Sequence, residues 1–536
     1  MRGARPPKLP TNRPVSKDVY MSRFSKLTLV CLLSLTAMTP LSAQTPAAGP
    51  LPEMATVEQA WKRGDFVTVR RDLEHLAKES GSALAQYRYG QVLLEGRGGP
   101  RDLNGAVQWL QQAVAQDHLE ATTLLARVYL SASEDQRNPA AAAALLARSA
   151  ARGDREAQYY LALLSSAGDG LIKDEAAAVN WLLAAAEQDH VAAQYALSRA
   201  YARGAGTAED AAKALLWLNR AAEAGHSEAQ FYLALTYERG QGVDQNPASA
   251  LRWYRASAES GFILAQRILG TRYMLGDGVE QNFEEALRWL TSAAKAGEPG
   301  AMSNLGYIYA TGNGVPVDNT AAAAWYARAA EAGVGGAMLA LGQFYETGNG
   351  VPQDTAKALA LYQQAAAQDR PGATQRLVEM TLSGAVQDLL APHQMVPWMA
   401  SAAGEDGENR AKALAWLEAS AADNIRPAQT ALALLWLQQG EDTEAAAALL
   451  IQAATAGDPQ AQLRLGQLFT TGSGVALDYV QAHSWLNIAA ASGAAEAAKH
   501  RDVVAQLMTF EQIAEAQTAA RDFFDSASVL PSLDSQ

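Results

Sequence analysis

Small and apolar residues recur along this chain at helical spacing inside a block of 36 residues, with polar and glycine-rich stretches between them. Ala85, Ala121, Ala157, Ala193, Ala229, Ala265, Ala301, Ala337 and Ala461 share one register, and a tryptophan comes 24 residues after seven of them, at Trp109, Trp181, Trp217, Trp253, Trp289, Trp325 and Trp485. Residues 301–336 show the plan most clearly. Ala301, Leu305 and Tyr309 stand at i, i+4 and i+8 on one face of a predicted helix, with Gly306 where a neighbouring helix must come close. Gly312 and Gly314 supply the positive-φ freedom to leave that helix, Val315 plugs the loop into the core, and Asp318 sits where an N-cap side chain satisfies the first amides of the next helix. The second helix turns Ala322, Trp325, Ala329 and Ala330 inward and ends at Gly333, a C-cap position. Two such helices make an antiparallel hairpin whose apolar faces need adjacent units to cover them. The chain therefore reads as a stacked array, a built surface suited to binding more than to catalysis.

The same signals return as Leu269-Gly270, Tyr273, Gly276, Gly278, Val279, Ala286, Trp289 and Gly297, and as Leu465-Gly466, Phe469, Gly472, Gly474, Val475, Asp478, Trp485 and Gly493. These residues resemble Sel-one-like repeats, relatives of the tetratricopeptide repeat with a longer loop between helices, and the resemblance spans about residues 82 to 495. The expected fold is all-α, a right-handed superhelical solenoid of about eleven hairpins. Residues 55–81 form a helical pair around Trp61-Lys62-Arg63-Gly64-Asp65-Phe66 and cap the array, which runs from 82 to 372. In the unit from Ala121, SASEDQRN replaces the glycine loop and Leu145 the tryptophan. Residues 373–427 depart further, with Trp398 one residue late and a truncated stretch around Trp416, so a discontinuity is expected there. Further repeats occupy 428–493, a capping helix pair 494–525, and a tail 526–536.

Composition narrows the setting. The formal net charge is −13, and residues 1–43 carry seven basic residues against one acidic, so losing them takes the charge to −19. Such acidity repels phosphate backbones, and nucleic acid is not an expected partner. After residue 43 no uninterrupted apolar run reaches the roughly 18 residues a membrane span needs. Met21 to Ala43 has the order of a secretory signal: Arg23 and Lys26, then an apolar stretch from Leu27 to Met38, then Leu41-Ser42-Ala43 before an expected cleavage. Residues 1–20 read as a leader from a mis-assigned upstream start, and 44–54 as a Pro-rich linker. Cys31, the single cysteine, lies within the signal, so the expected mature chain, periplasmic or secreted, has no thiol for disulfide, metal or nucleophilic chemistry.

No catalytic constellation or cofactor motif is found, and no metal site is expected. Gly312-Asn313-Gly314 and Gly348-Asn349-Gly350 lack the lysine and strand of a phosphate loop and read as turns. His118, His190 and His226 share a register just after second helices, where a cation suits a helix C-terminus. The tryptophans are assigned to the repeat core. Two residues after the aligned alanines stand Tyr87, Tyr159, Tyr195 and Phe231. Because the first helices of tetratricopeptide-like arrays line a groove, the resemblance implies that these four make an aromatic ladder there, with Arg199 and Arg267 or Arg272 as donors beside it. The competing role for the same aromatics is to seal one repeat to the next. The resemblance further implies a non-enzymatic adaptor for a protein or peptide in the bacterial envelope, or else a polysaccharide-secretion scaffold whose aromatics stack on glycan. Some family members with a disulfide in each repeat bind or hydrolyse β-lactams; this mature chain shares their helix pattern without their cysteines.

Overall fold

The computed structural model describes residues 52–131 and 137–527, so the expected leader, signal and most of the linker lie outside the described residues, as does the tail from 528. All regular structure among the described residues is helical. An N-terminal pair, α1 (Pro52–Arg63) and α2 (Phe66–Glu79), turns at Gly64. Five hairpins come next: α3 (Ala83–Glu95) with α4 (Leu103–Ala115), α5 (Leu119–Ser131) with α6 (Pro139–Ala150), α7 (Arg155–Ala167) with α8 (Glu175–Glu187), α9 (Val191–Arg203) with α10 (Ala211–Glu223), and α11 (Ser227–Arg239) with α12 (Pro247–Glu259). Three more are α13 (Ile263–Leu275) with α14 (Phe283–Lys295), α15 (Pro299–Thr311) with α16 (Asn319–Glu331), and α17 (Gly335–Thr347) with α18 (Thr355–Ala366). The irregular stretch holds α19 (Pro371–Leu382), α20 (Pro392–Gly404) and α21 (Arg410–Ala422). The array resumes as α22 (Arg426–Gln439) with α23 (Thr443–Thr455) and α24 (Pro459–Thr471) with α25 (Tyr479–Ala491), and closes on α26 (Ala497–Ala505) and α27 (Phe510–Ala527).

Two compact units divide between Phe262 and Ile263. Within each, helices pack on the partner in their hairpin and on the first helix of the next, which is the architecture of a solenoid. The core is layered by register: Leu197 and Leu233 in the first unit, and Leu269 and Leu305 in the second, are fully buried from the first helices. Alanines of the second helices, such as Ala221 and Ala293, meet them and let the helices approach closely. The tryptophans sit at the margin of these layers. Trp217 and Trp289 are buried, Trp109, Trp181, Trp253, Trp325 and Trp485 are half-buried, and Arg220, Arg288 and Arg328 of the same helices lie over the rings of Trp217, Trp289 and Trp325 at 4.7, 4.5 and 4.7 Å.

The irregular stretch has a specific cause. After α19 the chain forms turns over residues 383–391 in place of a second helix, and α20, which carries Pro397 inside it, pairs with α21 instead of α19. Trp398 is buried there, its indole N–H donating to the Thr381 hydroxyl at 2.9 Å.

Candidate binding face of the first helices

Each ladder aromatic meets the residue that opens the next repeat. Tyr87 stacks on His118 with centroids 4.9 Å apart, Tyr159 on His190 at 4.6 Å, Tyr195 against His226 at 4.6 Å, and Phe231 against Phe262 at 5.0 Å. Tyr195 and Phe231 are only 6 % and 7 % exposed, while Tyr87 and Tyr159 are half-buried. Burial raises the Tyr87 phenol and pushes that of Tyr159 up to about 12. The four rings therefore lie in the seams between repeats.

The histidines do not serve a helix C-terminus, as their register suggested; they cap the next helix at its start. The Nδ1 of His190 accepts from Ala193 N at 3.1 Å and that of His226 from Ala229 N at 3.2 Å, with a longer bond from Ala121 N to His118 at 3.3 Å. The chain turns by one left-handed or glycine residue, Asp117, Asp189 or Gly225, before each cap, so a histidine placed just after a second helix in sequence belongs in space to the first helix of the next unit. His190 also bonds Glu156 through Nε2 at 3.0 Å, and Glu156 pairs with Arg127 at 3.3 Å. Burial alone would raise the Glu156 carboxyl, but the bond from His190 and the Arg127 charge outweigh it and hold the group below its ordinary value.

Outside the seams, each first helix presents a stripe to solvent at four and eight residues beyond the ladder position. On α9 this places Arg199 and Arg203 in line with Tyr195, the Arg199 guanidinium 5.6 Å from the tyrosine centroid. At the position of Arg199 the first unit carries Arg127, Leu163, Arg199 and Leu235 in succession from α5 to α11. Leu163 and Tyr232 are each 38 % exposed, large apolar groups on the solvent side of α7 and α11. An open cavity of about 190 Å³ between α7, α8 and α9 is lined by Leu163, Ser166, Val179, Glu175, Arg199 and Arg203 among others. Sequence reasoning at the ladder position alone misses Arg127, Leu163, Arg203 and Tyr232; the signal that finds them is the same 36-residue register continued along each helix.

Arg267 and Arg272 belong to the second unit. Arg267 pairs at 3.0 Å with Glu298, whose carboxylate caps α15 through Ala301 N, and Arg272 lies 3.7 Å from Asp277 at its own helix end. Among the described residues no group of three or more His, Cys, Asp or Glu side chains is placed to hold a metal ion. Among them, too, no helix is long and apolar enough to cross a membrane.

A family model for the Sel1 repeat matches this chain in eleven segments: 83–118, 119–154, 155–190, 191–226, 227–262, 263–298, 299–334, 336–369, 402–424, 426–458 and 459–493. Among solved structures, the fold is similar to a protective antigen present in uropathogenic Escherichia coli strains that displays an SLR fold, with 28 % identity, a TM-score of 0.54, and coverage of 85 % of this chain and 94 % of that one. A Sel1 repeat protein from Oxalobacter formigenes is 30 % identical over 64 % of this chain and 97 % of that one, at a TM-score of 0.42. No curated protein sequence is significantly similar.

Proposed function

The chain belongs to the Sel1 repeat family, and from that premise we propose that it is an exported, non-enzymatic scaffold that binds a protein or peptide on the solvent face of its first helices. The observation that carries this reading is the face of α7 to α11, where exposed Leu163 and Tyr232 stand between arginines on a rigid, regularly spaced support. Apolar and aromatic groups beside arginine are the composition that concentrates interface energy. Helices fixed by caps and by inter-repeat seams hold these groups in place before binding, which lowers the entropic cost of association. Export to the periplasm or the medium rests on the order of residues 21–43, and the description of the E. coli relative as a protective antigen agrees with a protein presented outside the cytoplasm.

Affinity capture from native envelope extract with the full chain tests the proposal, comparing it with a Leu163→Asp, Tyr232→Ser variant. Leu163 and Tyr232 both reach solvent, and circular dichroism of the variant checks that its helicity is kept, since Tyr232 also packs on Tyr195 and Phe231. A protein retained by the parent and lost from the variant supports a first-helix scaffold. Equal capture by both moves the binding surface elsewhere, and retention of glycan alone replaces the protein partner with a polysaccharide.

A further inference from the structure

On the first-helix face of the first unit, α9 carries Arg199 and Arg203 and no acidic residue, in a chain whose net charge is −13. Two repeats earlier an arginine of this register has its carboxylate: Glu156 pairs with Arg127 at 3.3 Å, so that one turn of α5 holds an acid from the next repeat. Glu228 is the counterpart of Glu156 on α11, 72 residues later, and Arg199 is the counterpart of Arg127. There the pattern changes. Where α5 continues to Ser131, α9 continues to Arg203, and no ion pair to Arg199 or Arg203 is found among the described residues. His190, which helps to hold Glu156, is replaced at the equivalent place by Phe262, which donates nothing to Glu228. Glu175, the other acid beside the pair, is bound by Lys173 at 2.6 Å. By register, two arginines of α9 thus answer to one carboxylate that no histidine anchors.

The tyrosine beneath them is unfinished in the same sense. Tyr195 is more than nine-tenths buried, the Arg199 guanidinium lies over its ring, and its hydroxyl makes no hydrogen bond of ordinary geometry. Burial first, the Glu228 charge second and a weak hydrogen bond toward Glu228 push its ionisation far up, so the hydroxyl stays a proton donor whose neighbouring acceptor is poorly placed. Arg203 is exposed at the rim, yet burial of its stem and the charge of Arg199 lower its affinity for its proton, as expected of two cations held together without a counter-ion.

We propose that Arg199 and Arg203, with the Tyr195 hydroxyl below them, form a carboxylate-binding site that anchors an acidic side chain of a partner polypeptide, whose apolar neighbour seats on Leu163. Paired guanidiniums suit a carboxylate because they offer several N–H donors in a planar fork, and a ligand oxygen supplies a better-placed acceptor for Tyr195 than Glu228 does. Leu163 belongs to the preceding repeat, about 10 Å away at ordinary helix spacing. An extended peptide covers that distance in about three residues, so a Leu and a Glu three apart match the site. The overall acidity of the chain selects a short acidic segment over a long polyanion, which the rest of the surface repels.

This inference rests on the scaffold reading and names the chemistry of its partner. The test is a fluorescence-anisotropy titration of the full chain with a labelled, C-terminally amidated peptide of repeated Leu-Ser-Ser-Glu, beside its Leu-Ser-Ser-Gln analogue. The parent should bind the Glu peptide at least tenfold more tightly than the Gln peptide, and Arg199→Gln with Arg203→Gln should erase that preference without moving the melting temperature. Tyr195→Phe keeps the ring and removes the stranded hydroxyl, so it should melt at the same temperature or higher while binding the Glu peptide severalfold more weakly. A Glu peptide that fails to bind, or that binds the double variant as well as the parent, overturns the site. A Gln peptide with a free C-terminus that binds better than the amidated Glu peptide replaces the side chain with a main-chain terminus, and displacement by dextran sulfate at equal charge replaces the peptide with a polyanion. If the peptide fails but the Leu163→Asp, Tyr232→Ser variant still loses a captured protein, the scaffold reading stands and this inference alone falls.

Discussion

His226 shows how one side chain at a seam ties acidity to stability. Its Nδ1 accepts from the Ala229 amide, it packs against Tyr195, and burial pushes its pKa from the ordinary 6.5 down to about 4. Ala192 stands where Glu156 stands one repeat earlier beside His190, so no carboxylate offsets that burial. Protonation would place a hydrogen on the capping lone pair and a positive charge at a helix N-terminus. The unfolded chain then binds the proton more readily than the folded one between pH 6.5 and 4, so stability falls as pH falls through that window, by at most about 3 kcal/mol from this group. His226→Asn keeps a capping acceptor and removes the titration. Chemical unfolding from pH 7 to 4 should therefore give a shallower slope for the variant, and an equal slope would place the acid sensitivity elsewhere. A second residue-level gap is repeated along the chain. Gln86 and Gln158, buried on first helices, have oxygens that accept from Gln116 and Gln188 at 2.8 Å, but the oxygen of Gln194 has no partner because Ala224 occupies the matching position. Ala224→Gln should restore the bond and raise stability by about 1 kcal/mol, read from the shift in denaturation midpoint. The candidate site was legible only in part for the same reason. The 36-residue register located Tyr87, Tyr159, Tyr195 and Phe231 on one row, but how deeply each lies depends on the residue opening the next repeat, 31 positions on. That dependence hid both the capping role of the histidines and the burial of Tyr195.

At the scale of the helical hairpin, glycine does two separable things. Gly306 and Gly342 lie inside first helices, where a methyl group would stand 2.7 Å from the Tyr326 ring and 2.5 Å from the Tyr362 ring. Both rings are buried, so neither can swing aside freely. Gly342→Ala sets an alanine propensity gain of about 1 kcal/mol against overpacking worth about 1–3 kcal/mol. Net destabilisation of about 1 kcal/mol is the expected result in a thermal melt, and a stabilised variant would show that Tyr362 yields. Gly350 works differently: at φ 70° it leads the loop so close to the preceding repeat that a methyl group would fall 2.2 Å from the Asn319 carbonyl oxygen. The sequence predicted the conformational freedom of these loop glycines, along with the Asp318 cap, whose carboxylate accepts from Ala321 N at 2.9 Å, and the close approach at Gly306. It did not reveal the docking of the second loop glycine, because that contact is made with a helix 31 residues earlier. Nor did it show the pairing of α20 with α21: Trp398 mimics the tryptophan of a second helix, whereas Pro397 and the turns at 383–391 decide the local packing.

For the whole molecule, the consequence of repetition is that stability and binding share neighbours. In the first unit each hairpin meets chiefly the hairpins before and after it, so a defect should be felt over a short span of chain instead of throughout. Leu233 is fully buried on α11 and packs in one cluster with Tyr195, Leu218, Ala221, Ala222 and Ala229, which come from α9, α10 and α11. Leu233→Ala removes the filler of that layer and should cost about 2–5 kcal/mol locally. Native-state hydrogen exchange should then show faster exchange across α9 to α12, with the amides of α3 and α4 unchanged. Faster exchange across every helix from α1 to α12 would instead mean that the first unit opens as one cooperative body. The distinction bears on the site, because Tyr195 lies in the weakened layer while Arg199 and Arg203 stand one and two turns along the same helix. A face built by nearest neighbours loses its binding geometry when an adjacent layer loosens, even though no residue touching the ligand has changed. Leu233→Ala should therefore weaken capture of the acidic peptide together with protection of α9, whereas a buried truncation in the first hairpin, such as Leu110→Ala on α4, should leave peptide affinity as it was.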